Sequence, residues 1–192
     1  MTLTRADVAL GPVYFCSSFS GSATLCSASI AEVTSIARID ALSGEPRFGT
    51  VHGFTGSIRS ASYDHGITWF DTENEATPAA EAPGGHSMHF EGEASRQDVR
   101  LPFMADVDVT PRSQGQTAVP TAQVAATIDS SEYRLEVHFH AVDWFAQVDF
   151  DALEAAGASE AAIVPGTVPH NALLVGVKIL APPEFRWIRT GR

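Results

Sequence analysis

Lysine is almost absent from this chain: Lys178 is the only one, and every other strongly basic side chain is arginine. The 12 basic residues are scattered among 23 acids, for a formal charge of −11. Proteins that grip nucleic acid neutralise phosphates with a basic patch, so this balance argues against nucleic-acid binding. It argues equally against attraction to an anionic membrane. Long apolar runs are missing too. The longest candidate, residues 172–181, contains Lys178 and falls well short of the roughly 18–20 residues that span a bilayer. Cysteine is limited to Cys16 and Cys26, with no Cys-x-x-Cys, so neither thioredoxin-type exchange nor a zinc knuckle is supported. No Gly-x-Ser-x-Gly elbow, His-Glu-x-x-His, P-loop or Gly-x-Gly-x-x-Gly occurs.

What is present describes a globular body. With 192 residues and 44% hydrophobic content, one β-rich domain spanning 1–192 can bury a proper core. The negative field favours cationic partners and divalent ions. Arginine in place of lysine, with abundant alanine, suggests a high-GC bacterial genome. Cys16 and Cys26 flank a Ser/Gly-rich segment and can close a disulfide, which in the chain-entropy model stabilises by roughly 2–3 kcal/mol. A disulfide would require an oxidising compartment, so the expectation is an extracytoplasmic protein: periplasmic, surface-bound or secreted. The alternative is two buried thiols in the cytosol. Met1-Thr-Leu-Thr-Arg has no apolar signal region, so an exported protein of this sequence would be the mature part.

Period-2 alternation dominates the chain. Strand patterns fall at 12–16, 36–42, 50–62 (punctuated by Gly and Ser), 67–70, 86–93, 99–109, 122–128 and 133–142. Residues 172–180 are apolar on both faces and predict a central strand, with Phe185 and Trp187 in a last edge segment. Short helices are allowed at 26–33 and 151–156. Residues 71–85, acidic with two prolines and a Gly-Gly stop, form the clearest loop. Eight to ten short strands with hairpin-length gaps predict an all-β antiparallel sandwich, with a β-barrel as the alternative.

The segment closest to chemistry is 133–145, Tyr-Arg-Leu-Glu-Val-His-Phe-His-Ala-Val-Asp-Trp-Phe. On a strand, Leu135, Val137, Phe139 and Ala141 share one face, while Arg134, Glu136, His138 and His140 share the other. The two imidazoles stand about 6.5–7 Å apart between Cα atoms, within reach of one metal ion or anionic ligand. Neutral imidazole suits copper or zinc. A second pattern is His86-Ser87-Met88-His89: Met88 points to the core and His89 lies opposite with Glu91 and Glu93. Were the two strands neighbours, His138, His140, His89, Glu91 and Glu136 would gather into one metal site. The bland alternative is two solvated strand faces. The pairs Asp106/Asp108 and Asp149/Asp151 lack any calcium-loop context and read as surface carboxylates.

Three stretches in order resemble a known family: Phe54-Thr55-Gly56-Ser57-Ile58-Arg59, then Gly84-Gly85-His86-Ser87-Met88-His89-Phe90-Glu91-Gly92, then 135–150 with its short Phe-x-x-Val-Asp turn. This order is similar to that of the methanobactin-associated periplasmic copper-binding proteins and their secreted β-sandwich relatives. The resemblance covers about half the chain and implies copper binding outside the cytoplasm. The family's Trp-rich lead-in before Gly-Gly is replaced here by the acidic Pro/Ala loop, so no ligand is carried over. The expectation is thus an exported β-sandwich that binds rather than catalyses, with copper ahead of zinc as cofactor. The alternatives are a metal-free structural or adhesive module with protein partners, and a hydrolase built on the His/Glu face.

Overall fold

The computed structural model describes residues 1–19, 29–43, 48–96, 98–155 and 160–191. Its strands are β1 (Thr2–Leu10), β2 (Val13–Cys16), β3 (Ser29–Val33), β4 (Ala37–Asp40), β5 (His52–Gly53), β6 (Gly56–Tyr63), β7 (Ile67–Thr68), β8 (Thr77–Pro78), β9 (Met88–Arg96), β10 (Val99–Val107), β11 (Ala122–Ile128), β12 (Tyr133–His138), β13 (Ala161–Ile163) and β14 (Glu184–Arg189). The α-helices are α1 (Phe150–Ala155) and α2 (Val168–Val175), the latter continued by a π-helical turn, Gly176–Leu180.

Two five-stranded sheets carry the architecture, in the orders β13-β10-β9-β1-β4 and β11-β6-β2-β3-β5. All their pairings are antiparallel except β10 with β13. The ribbon β12–β14 and the small pair β7–β8 complete the strands. The fold is all-β and sandwich-like, and no sheet closes into a barrel among the described residues.

Alternation decides which face is buried. Along β1, Ala6, Val8 and Leu10 enter the core while Arg5 and Asp7 do not; along β10, Leu101, Phe103, Ala105 and Val107 do the same. One core cluster draws on both sheets. On the first sheet, Phe90 meets Trp144 and Phe145, and Phe103 meets Phe145 and Phe150. On the second, Phe15 meets Phe185 and Trp187 from the ribbon. Between β1 and β2 the chain passes from one sheet to the other at Gly11–Pro12. Gly11 has φ 117°, and a Cβ there would collide with the Ser35 carbonyl oxygen, so only glycine makes this crossing without strain.

Three expectations change. Residues 172–180 are helix, not a central strand. Thr167 caps α2 by accepting the N–H of His170, Pro169 lies in its first turn, and His170, Leu173 and Val177 form the buried stripe. A short apolar run alone does not separate a buried strand from a helix. The helix considered at 26–33 gives way to strand β3 over its described part, because Ala31 and Val33 alternate into the core against β2. Strand β12 ends at His138, so His140 lies beyond the pairing, in the approach to the turn at Asp143–Phe145. Cys16 is buried at the end of β2, whereas Cys26, and with it the expected disulfide, lies outside the described residues.

Candidate functional site

The expected five-residue cluster divides between two places. His89 and Glu91 sit on β9, in the middle of the first sheet; Glu136 and His138 sit on β12, in the separate two-stranded ribbon, with His140 just after it. Among the described residues, no group of three or more His, Cys, Asp or Glu side chains is gathered so that it could hold a metal ion.

His89 belongs to a ladder of charge across four strands. Register sets Asp7 of β1 and Asp106 of β10 on either side of it. Its Nδ1 lies 2.7 Å from Asp106 and its Nε2 3.0 Å from Glu91. Glu91 also accepts from Arg5 at 2.8 Å, Arg5 donates to Asp7 at 2.7 Å, and Asp7 accepts from Arg38 of β4 at 2.7 Å. Partial burial alone would lower the His89 pKa, but the hydrogen bonds to Asp106 and Glu91 outweigh it, and the pKa is raised. With a carboxylate at each nitrogen, the ring donates twice when it is protonated. In that form it has no lone pair for a metal and no nitrogen left to activate a hydroxyl. His89 and Glu91 are thus engaged within this ladder, on a different sheet from the ribbon histidines.

The ribbon is different. As the alternation requires, Leu135, Val137 and Phe139 pack against the core, and Glu136, His138 and His140 face outward. His138 Nε2 lies 3.2 Å from Glu136, and His140 Nε2 lies 3.6 Å from Glu184. Glu184 stands directly across from His138 in the β12–β14 register. Each carboxylate is held by an arginine two residues away: Arg134 bonds Glu136 at 2.6 and 3.0 Å, and Arg186 bonds Glu184 at 2.5 and 3.1 Å. These arginines lower both carboxyl pKa values. Two imidazoles and two ionised carboxylates thus share one exposed ribbon edge. Glu184 escaped the sequence reading because only the register reveals it.

Other polar groups were also missed. His65 is fully buried and donates from Nδ1 to the Ala9 carbonyl at 3.2 Å. Asp64 beside it is buried and accepts the Ala118 N–H at 2.8 Å. His86 pairs with Asp108 at 2.9 Å. Glycine and aspartate around residue 65 read as turn chemistry, and nothing local announced the burial. The described surface grooves, one lined by Phe19, Ser57, Arg59 and residues 124–127 and one by Met1, Arg96, Phe150 and Asp151, contain no histidine. No described helix is long and apolar enough to cross a membrane.

Comparison of the chain with protein-family models, curated proteins and solved structures gives no match.

Proposed function

We propose that this chain is an exported β-sandwich protein that binds a ligand rather than turning one over, and that it takes a transition metal, copper ahead of zinc, at the β12–β14 ribbon. The observation that carries the reading is the pairing of His138 and His140 with Glu136 and Glu184 on one solvent-facing edge. Imidazole is a borderline ligand suited to both metals, and a carboxylate beside each ring offers further donor atoms. The donors are not gathered beforehand. Capture would require the exposed side chains to leave their ion pairs and converge, so binding is of modest affinity. His89 plays no part in it. The expected Cys16–Cys26 disulfide accompanies the extracytoplasmic location.

Dialysis against Cu²⁺ or Zn²⁺ followed by metal analysis tests the proposal. The expected result is about one ion per chain for the native protein and none for the His138→Ala/His140→Ala double variant. Unchanged stoichiometry in that variant would sink it.

A second reading is a metal-free structural or adhesive module. It is favoured by the same lack of a gathered three-donor group and by the self-contained ladder around His89. It expects partner binding that is indifferent to chelators.

A further inference from the structure

The outer face of the β12–β14 ribbon repeats one unit, arginine–carboxylate–imidazole. Arg134 donates from Nε and Nη2 to Glu136 Oε1, at 3.0 and 2.6 Å. Arg186 donates from the same two nitrogens to Glu184 Oε2, at 3.1 and 2.5 Å. In both units the guanidinium closes on a single oxygen. The other oxygen is the one that approaches a histidine: Glu136 Oε2 lies 3.2 Å from His138 Nε2, and Glu184 Oε1 lies 3.6 Å from His140 Nε2. Register sets Glu136 across from Arg186 and His138 across from Glu184, so the units lie side by side. Two guanidiniums therefore balance two carboxylates on a chain whose overall charge is −11. At the far end of the ribbon Arg189 likewise pairs with Asp129 at 3.1 Å. The turn after His140 adds one more exposed acid, Asp143.

We propose that Arg134 and Arg186 set the specificity of this edge: they shut out calcium and magnesium and leave a site usable only by a metal that imidazole binds. The inference rests on the metal reading of the ribbon. An acidic chain attracts divalent ions of every kind, so selectivity has to come from the donors. Calcium takes roughly six to eight oxygens, often both from one carboxylate. With one oxygen held by arginine, Glu136 and Glu184 can each offer a metal only one. A single further carboxylate at Asp143 does not make up the number. The guanidiniums also cancel the charge that would draw a hard cation, and imidazole gives such a cation nothing in return. Copper and zinc lose less. Two imidazole nitrogens and one oxygen from each of two carboxylates make a four-donor set of the kind both metals accept. Capturing them breaks the histidine–carboxylate pairs and can leave the arginine pairs in place.

Isothermal titration with Zn²⁺, with and without a large excess of Ca²⁺ at constant ionic strength, tests this. The native chain should bind zinc equally well in both. The Arg134→Gln/Arg186→Gln double variant, with unchanged far-UV circular dichroism, should bind zinc several-fold more tightly without calcium, because two exposed ion pairs no longer compete for the carboxylates. Calcium should then weaken its zinc binding several-fold. Arg134→Lys/Arg186→Lys keeps the charge at both positions and should stay close to the native chain, which a merely structural role for arginine would not predict. Calcium that competes as well in the native chain as in the glutamine variant would overturn the inference and leave the ribbon's metal site standing. So would a glutamine variant that excludes calcium as the native chain does. A native chain that binds neither zinc nor copper would overturn both.

Discussion

Asp64 and His65 are adjacent in the chain, both buried, and burial sets them against each other across the same pH range. Desolvation raises the Asp64 carboxyl to about 7, partly offset by the Ala118 N–H and the charge of Lys178. Desolvation also lowers the His65 imidazole to about 4, partly offset by the Ala9 carbonyl. Asp64 therefore favours the fold at low pH, where it is neutral, and that contribution is lost as pH rises from about 4 to about 7. His65 favours the fold at high pH, where it is neutral in both states. Its contribution is lost as pH falls from 6.5 toward 4. Over that interval the two slopes oppose.

Asp64→Asn separates them. Asparagine keeps an acceptor for the Ala118 N–H and removes the titration. Relative to the native chain, the variant should gain stability steadily from about pH 4 to about pH 7, by on the order of 1 kcal/mol per unit. Urea unfolding at several pH values measures the difference, and a flat difference would refute the assignment.

The His89 ladder predicts a histidine that holds its proton unusually well. Its raised pKa means the ion pairs with Asp106 and Glu91 stabilise the fold fully below about 6.5, and that this is lost as pH rises through the folded value. In NMR titration the His89 ring should titrate above an ordinary histidine, and Asp106→Asn should bring it down. His89→Ala should leave metal uptake unchanged. Loss of uptake in that variant would return His89 to the site.

Much of this arrangement was legible because strand alternation is local. The face bearing Glu136, His138 and His140 follows from the period of two, and Leu135, Val137 and Phe139 do turn inward. Strand β1 was harder. Its pattern is interrupted between Leu3 and Arg5, where the register shifts, and small Ala6 stands where a larger apolar residue would have marked the period. Residues 172–180 misled for another reason: a helix with one stripe in the core and another left in solvent reads as apolar on both sides. The partners Asp106 and Glu184 depend on cross-strand register, and neither lies near its histidine in sequence.

Glu184 supplies a test of the ribbon itself. If it joins His138 and His140 in holding copper, Glu184→Gln removes an anionic donor while keeping the side chain's shape. Isothermal titration should show copper affinity reduced several-fold with stoichiometry unchanged. Equal affinity would restrict the site to the histidines and Glu136.

The cysteines give a direct readout of compartment chemistry. Protein unfolded without reductant should take up no iodoacetamide at Cys16 or Cys26, and reduction should expose both. Mass spectrometry distinguishes the outcomes. Two alkylated cysteines before reduction would remove the disulfide and weaken the case for export.

Gly176 predicts the sharpest packing effect. It stands where the α-helical part of α2 passes into the π-turn and lies directly against the Asp143–Phe145 turn. A Cβ built there would overlap the Trp144 carbonyl oxygen and come within 2.8 Å of its Cα, backbone atoms that cannot rotate away. The Trp144 ring is fully buried and anchored by its Nε1–H donating to the Ala181 carbonyl at 2.7 Å. Helix and turn are thus tied at two points, and neither can retreat without disturbing Phe90, which packs on the same indole. In an open helix Gly→Ala would help by up to about 1 kcal/mol. Here overpacking should reverse the sign and cost about 1–3 kcal/mol. Thermal unfolding of Gly176→Ala measures it, and a neutral or raised midpoint would mean that this helix does not sit so closely on Trp144.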